Sequence, residues 1–168
     1  MFSVAVVGRA DFVIRPMLAR DVGPVLTLEA DSPSAWDLKQ LEDELAQPNG
    51  FQLVLLAEGS EKIMAYVCGR LMADEAEIIK LGVIRSYRRQ GIGSRLLDAA
   101  FNYCSEKGVK NCFLELRARN KAARKLYEKK GFFAVGRRKN YYGTPLDDAV
   151  VMQRIIDNQF QQGKEEGL

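Results

Sequence analysis

The chain has 168 residues, 47% of them hydrophobic and 28% charged, with a net charge of +3 and no histidine. This composition describes one soluble domain with room for a real core; no apolar run is long enough to cross a bilayer. The missing histidine excludes Ser-His and Cys-His nucleophiles and most zinc catalysis, so any proton transfer falls to carboxylate, tyrosine, lysine or cysteine. The mild positive charge suits an anionic ligand and is poor support for nucleic acid. Cys68, Cys104 and Cys112 are odd in number and lack CxxC spacing, which fits reduced thiols in a cytosolic protein. The apolar start, residues 1–7, is too short for a signal sequence and lacks a basic start and a small-residue cleavage site.

Residues 12–15 read as a first strand, with a loose extension at 4–7. Asp21 is placed to cap a helix ending near Ala30, with Val22, Val25, Leu26 and Leu28 on its apolar face. Ser34 and Asp37 have capping-box spacing before a second helix that runs to about Ala46. Strands follow at 51–57 and 63–71, antiparallel by their short connection, and a third at 78–84 is rich in β-branched residues. Ile92, Leu96, Leu97 and Ala100 then share one helix face, and Lys107-Gly108 ends that helix. Residues 111–117 form a strand, 120–130 a helix closed by Gly131, 132–137 a strand, 140–145 a loop and 148–154 a last strand. Residues 1–155 make one domain, and 156–168 make a polar tail. The strand–helix–strand unit over 78–117 is a crossover, so its two strands are parallel, while the meanders are antiparallel. The fold class is α/β, a mixed and mostly antiparallel sheet flanked by about four helices.

The turn between 84 and 95 carries Arg88, Arg89, Gln90, Gly91, Ile92, Gly93 and Ser94. The opening turn of a helix leaves backbone N–H groups without intrahelical partners and adds a partial positive charge. Glycines let a phosphate approach that backbone, and arginines supply fork-shaped donors. The turn therefore reads as a cradle for a phosphorylated cofactor, most simply a pyrophosphate. Leu96 stands where a dinucleotide fingerprint needs glycine or alanine, and the Gly-Lys-Ser/Thr of a P-loop is absent.

With Arg-Arg-Gln-Gly-Ile-Gly opening the third helix in this element order, the chain resembles the GNAT acyltransferase superfamily over about residues 12–155. A tighter resemblance, to the bacterial RimI-type enzymes that acetylate the N-terminal alanine of a small-subunit ribosomal protein, rests on several runs. These are Leu114-Glu115-Leu116-Arg117-Ala118-Arg119-Asn120, Leu126-Tyr127-Glu128, Gly131-Phe132, Arg138-Lys139-Asn140-Tyr141-Tyr142 and Asp148-Ala149-Val150-Val151-Met152. The resemblance implies acetyl-CoA as cosubstrate and no metal. It implies that Leu81, Gly82, Val83, Arg88, Arg89, Gln90, Gly91, Ile92, Gly93 and Ser94 line the cofactor, which lies between splayed parallel strands, and that Asn120 touches it. It makes Glu115 the general base and Tyr127 the general acid, and puts Trp36, Tyr141 and Tyr142 at the acceptor's entrance. The chain departs from the family at Ala35, where proline often precedes the tryptophan, and at Gly82, where a larger residue is common. Little consequence is expected at 82, because the backbone there should contact the acetyl group.

Amide formation needs a neutral amine and a protonated leaving thiol. At pH 7 deprotonation costs about 1.4 kcal/mol for an α-amine titrating near 8, against roughly 4.6 for a lysine. A carboxylate acting through water suffices for the former. Glu115 stands in the apolar run 112–116, expected to be buried, and desolvation there would strengthen it as a base. Asn120 and Tyr127 are seven apart and share a helix face. The expected function is acetyl transfer to a protein N-terminus in the cytoplasm, with no membrane and no direct nucleic-acid partner. The alternatives are a small-molecule or lysine amine as acceptor, or a non-catalytic acyl-CoA module.

Overall fold

The computed structural model describes residues 12–156, so the 4–7 extension and the tail from Asp157 lie outside the described residues. Strands β1 (Phe12–Pro16), β2 (Gly50–Ala57), β3 (Ile63–Met72), β4 (Glu75–Val83), β5 (Asn111–Arg117), β6 (Phe133–Gly143) and β7 (Leu146–Ile155) join in one sheet. Helices α1 (Val22–Glu29), α2 (Leu38–Leu45), α3 (Ile92–Glu106) and α4 (Lys121–Lys129) complete the fold. The strand order is β1-β2-β3-β4-β5-β7-β6. The ladders β1–β2, β2–β3, β5–β7 and β6–β7 are antiparallel and β4–β5 is parallel, the mixed sheet expected from the element order. The chain divides into two compact units, Met1–Arg70 with Ile79–Ala100, and Leu71–Ile78 with Phe101–Leu168.

In the first unit, Val22, Val25, Leu41, Val54, Tyr66 and Cys68 form one buried cluster. Two caps differ from the sequence reading. Asp21 does not cap α1 with its side chain; it accepts from the Leu18 N–H at 2.8 Å and pairs with Arg15 at 2.6 Å. The box at α2 is Asp37 with Gln40, not Ser34 with Asp37. The Gln40 N–H donates to Asp37 at 2.8 Å and the Asp37 N–H to Gln40 at 2.9 Å. Asp37 has the extended backbone an N-cap needs, so its carboxylate reaches forward to the free N–H of the first turn.

Gly82 has a packing role that its sequence context does not reveal. A Cβ built there would lie 2.4 Å from Cε1 of the fully buried Tyr66 ring. The ring therefore occupies the space that a side chain at 82 would need.

In the second unit, the parallel ladder runs from Glu75↔Asn111 to Ile78↔Leu114. β5 alternates, with Cys112, Leu114 and Leu116 buried and Asn111, Phe113, Glu115 and Arg117 partly exposed. The loop expected at 140–145 is mostly strand: β6 runs to Gly143 with register shifts near Ala134 and between Arg138 and Tyr142, leaving only Thr144 and Pro145 between β6 and β7. Those irregularities absorb Asn140, whose backbone has φ +51°, without ending the strand. All three cysteines are free and buried, and burial pushes the Cys104 and Cys112 thiols each up to about 12.

Gly82→Ala should lower the unfolding free energy by about 1–3 kcal/mol through overpacking. The penalty should shrink in a Tyr66→Leu background, measured as a coupling in a double-mutant cycle by denaturant melts. An equal cost in both backgrounds would contradict the ring contact.

Candidate active site

The cradle belongs to the first unit. β4 ends at Val83, a single 3-10 turn covers Arg85–Tyr87, and α3 begins at Ile92. Arg89 and Gly91 both have positive φ, +62° and +78°, and the space where a Cβ of Gly91 would sit is open. The Arg95 N–H reaches back to the Gly91 carbonyl at 3.0 Å, the first turn of α3. The N–H groups of Ile92, Gly93 and Ser94 are the helix's opening donors and have no carbonyl within the helix to meet. This donor set fits a phosphate or pyrophosphate. Arg88 is less free than its sequence suggests, because its Nε donates to the Val83 carbonyl at 3.0 Å and only its outer nitrogens are left for an anion. Gln90 donates from its amide to the Ser86 carbonyl at 3.2 Å, so it braces the turn. Leu81, Gly82 and Val83 are the partly exposed end of β4.

Trp36, also in the first unit, is half-buried against the α1–α2 core cluster. Its backbone N–H donates to Glu29 at 3.0 Å, and the Lys80 ammonium stands 5.3 Å from the ring centroid.

The second unit carries the acid–base candidates. Glu115 is not sealed in the core as expected. The two-residue period of β5 gives the buried face to Leu114 and Leu116 and turns Glu115 the other way. Its side chain is 19% exposed and its carboxylate meets Arg138 Nη2 at 2.9 Å. With Arg138 and Val151 it lines a cavity of about 260 Å3 that also carries Glu75, Glu77 and Phe113. Arg117 donates to the carbonyls of Pro145 at 2.8 Å and Thr144 at 3.1 Å, and stacks 4.2 Å from the Tyr142 ring centroid. It thereby pins the β6–β7 turn and the second of the two tyrosines.

Tyr141 and Tyr142 meet edge to face, centroids 5.2 Å apart, with Arg138 over the Tyr141 ring at 5.4 Å. Burial, and then the Glu115 charge, push the Tyr142 phenol up. Tyr127 lies on the buried face of α4, 7% exposed, against Phe132 at 5.7 Å. Burial, followed by the nearby Cys112 and Tyr142, raises the Tyr127 phenol well above its ordinary range. Tyr127 is thus neutral at any working pH, as a proton donor must be. Among the described residues its hydroxyl has no hydrogen bond, and no buried side-chain oxygen or nitrogen lacks a partner. Asn120 caps α4, its Oδ1 accepting from the Ala123 N–H at 3.1 Å, which leaves its amide NH2 as the group free to donate.

Sequence reasoning missed three participants: Arg138 on Glu115, Arg117 on the Tyr142 turn, and Lys80 on Trp36. The first two flank the acidic and aromatic runs in sequence, so charge beside aromatics was the available signal. Lys80 offered none, because the segment it meets is 44 or more residues away along the chain. Among the described residues no helix is long and apolar enough to cross a membrane, and no group of three or more His, Cys, Asp or Glu side chains could hold a metal ion.

The Acetyltransferase (GNAT) family model matches residues 23–132. A Bacillus subtilis (strain 168) protein, named as a candidate ribosomal protein bS18-alanine N-acetyltransferase, is 34% identical over 147 residues, covering 86% of this chain and 95% of its own. The ribosomal protein bS18-alanine N-acetyltransferase of Escherichia coli (strain K12) is 38% identical over 93 residues, 54% of this chain and 63% of that protein. The crystal structure of the ribosomal-protein-S18-alanine N-acetyltransferase from Escherichia coli superposes with a TM-score of 0.80 at 29% identity, covering 87% of this chain and 94% of that one. The chain belongs to the GNAT family and is an acetyl-CoA-dependent N-acetyltransferase.

Proposed function

We propose that this enzyme acetylates the N-terminal α-amine of a ribosomal protein, with alanine as its first residue, and that residues 1–155 act as one catalytic domain in the cytoplasm. The chemistry is carried by one observation. A phenol held neutral by burial, Tyr127, and a partly exposed carboxylate paired with Arg138, Glu115, lie in one compact unit. A neutral phenol can give a proton and a solvent-accessible carboxylate can take one through water, the division that acid–base catalysis needs. The acceptor is taken from the names of the Bacillus and Escherichia relatives.

Acetyl-CoA supplies the thioester. The opening turn of α3, with Arg89 and the outer nitrogens of Arg88, holds its pyrophosphate; Leu81, Gly82, Val83 and Asn120 complete its binding. Glu115, through a water, takes a proton from the acceptor amine as the nitrogen attacks the carbonyl carbon. A new C–N bond forms and the C–S bond breaks. Tyr127 gives its proton to the departing sulfur and recovers one from solvent. The Val83 amide is assigned to the developing oxyanion. Trp36, Tyr141 and Tyr142 flank the acceptor.

Mass spectrometry with three peptides tests the acceptor: one starting with free alanine, the same peptide blocked, and one with only a lysine amine. Acetylation of the free alanine alone is expected; acetylation of the lysine peptide, or of none, would overturn the assignment. Glu115→Gln should cut kcat about 100-fold while leaving the Kd for CoA unchanged. Unchanged turnover would remove Glu115 as the base.

The raised Tyr127 phenol fixes a second expectation. The rate should climb as the acceptor amine loses its proton near pH 8. It should show no loss from Tyr127 ionisation up to the ordinary tyrosine value of 10.0, because the folded phenol holds its proton beyond that point. By the same linkage, the stability due to a neutral Tyr127 is fully present below pH 10.0 and is lost as pH rises further. Alkaline melts should therefore flatten in Tyr127→Phe, and an unchanged alkaline slope would contradict its buried, neutral state.

A further inference from the structure

Lys80 and Gly82 are two apart on β4 and so share a face of the strand. The Lys80 ammonium makes three contacts on that face. It pairs with Glu29 Oε2 at 3.0 Å, donates to the Ser34 carbonyl, and stands over the Trp36 ring. Glu29, the last residue of α1, is 3% exposed. Its second oxygen accepts from the Tyr66 hydroxyl, and Oε2 also accepts the Trp36 backbone N–H at 3.0 Å. Tyr66 is fully buried and reaches Glu29 from a position it can occupy only because residue 82 has no Cβ. Lys80 and Glu29 thus touch the short segment 34–36 directly, and Tyr66, seated beside Gly82, holds Glu29.

Trp36 packs against the α1–α2 core cluster, while Ser34 and Ala35 are exposed and the segment carries turn bonds such as the Ala35 N–H to the Ser32 carbonyl at 3.2 Å. Burying an ammonium, a carboxylate and a phenol together is rarely the most stabilising way to fill a core, since apolar replacements often do as well or better. What such a set does supply is direction, because each bond fixes an angle as well as a distance. Lys80 contacts both the backbone at 34 and the ring at 36.

We propose that Lys80, with Glu29 and Tyr66, is a positioning residue for the acceptor. It acts through the Trp36 turn and sets how tightly the acceptor binds without touching the reacting atoms. The Tyr66–Gly82 pair is the packing that fixes Glu29 in place. This rests on the assignment of Trp36 to the acceptor side made above.

Trp36 is the chain's single tryptophan, so intrinsic fluorescence reports this turn alone. The test uses the full chain, the wild type beside Lys80→Met and the double variant Glu29→Gln with Lys80→Met. The double variant removes both charges, so no buried carboxylate is stranded if the single variant folds poorly. Both should show Trp36 emission shifted to the red and more open to acrylamide. Acceptor KM for the alanine peptide should rise about tenfold, with kcat and the acetyl-CoA KM within about twofold of wild type. Unchanged Trp36 quenching, or an unchanged acceptor KM in an active wild-type background, would overturn the positioning role. A parallel fall in kcat and in acetyl-CoA affinity would also overturn it, as it would mark general disruption. If the wild type acetylates a lysine or small amine instead, the acceptor assignment fails. The positioning role is then judged by the KM for that amine, and a wild type without any acceptor overturns both.

Discussion

Strand β5 cannot bury Cys112, Leu114 and Leu116 without turning Phe113, Glu115 and Arg117 to the other side of the sheet. Much of the second unit follows from that alternation. It gives Glu115 a water-accessible position next to Arg138 of β6, and it gives Arg117 the reach to hold the Thr144–Pro145 turn and the Tyr142 ring. A one-residue slip in the β5–β7 register would bury Glu115 and expose Leu114 and Leu116, so the hydrophobic pattern itself keeps Glu115 on the accessible side.

The two candidate proton carriers are treated in opposite ways by the fold. Glu115 keeps contact with solvent and pairs with Arg138. Tyr127 is packed against Phe132 and kept neutral by the loss of water around it. The cradle in the first unit works by a third principle. It relies on backbone donors, with Arg88 and Arg89 beside them, in a turn whose positive φ at Arg89 and Gly91 shapes it.

Much of this was legible in the sequence because it depends on local rules. The order of elements, the parallel pair and the strand–turn–helix around Gly91 followed from periodicity, connection length and two glycines. The failures have physical causes. Asp37 rather than Ser34 caps α2 because cap choice depends on which residue takes the extended backbone, which spacing alone does not fix. The 140–145 segment looked like a loop because Asn, Gly and Pro cluster there, yet irregular pairing with β7 keeps most of it in the sheet. Lys80 on Trp36 and Tyr66 over Gly82 are contacts between distant parts of the chain, and no pattern within a short window encodes them. Gly82 shows the cost of reading one position by itself: its small size answers to a ring sixteen residues earlier.

The most direct test of this account is a crystal structure of the enzyme with a bisubstrate compound, CoA joined through its sulfur and an acetyl bridge to the α-amine of an alanine-led peptide. The account predicts the sulfur within hydrogen-bonding reach of the Tyr127 hydroxyl, the pyrophosphate on the backbone of Gly91, Ile92 and Gly93, and a water linking the amine nitrogen to Glu115. A sulfur remote from Tyr127, or an amine without a water path to Glu115, would contradict it.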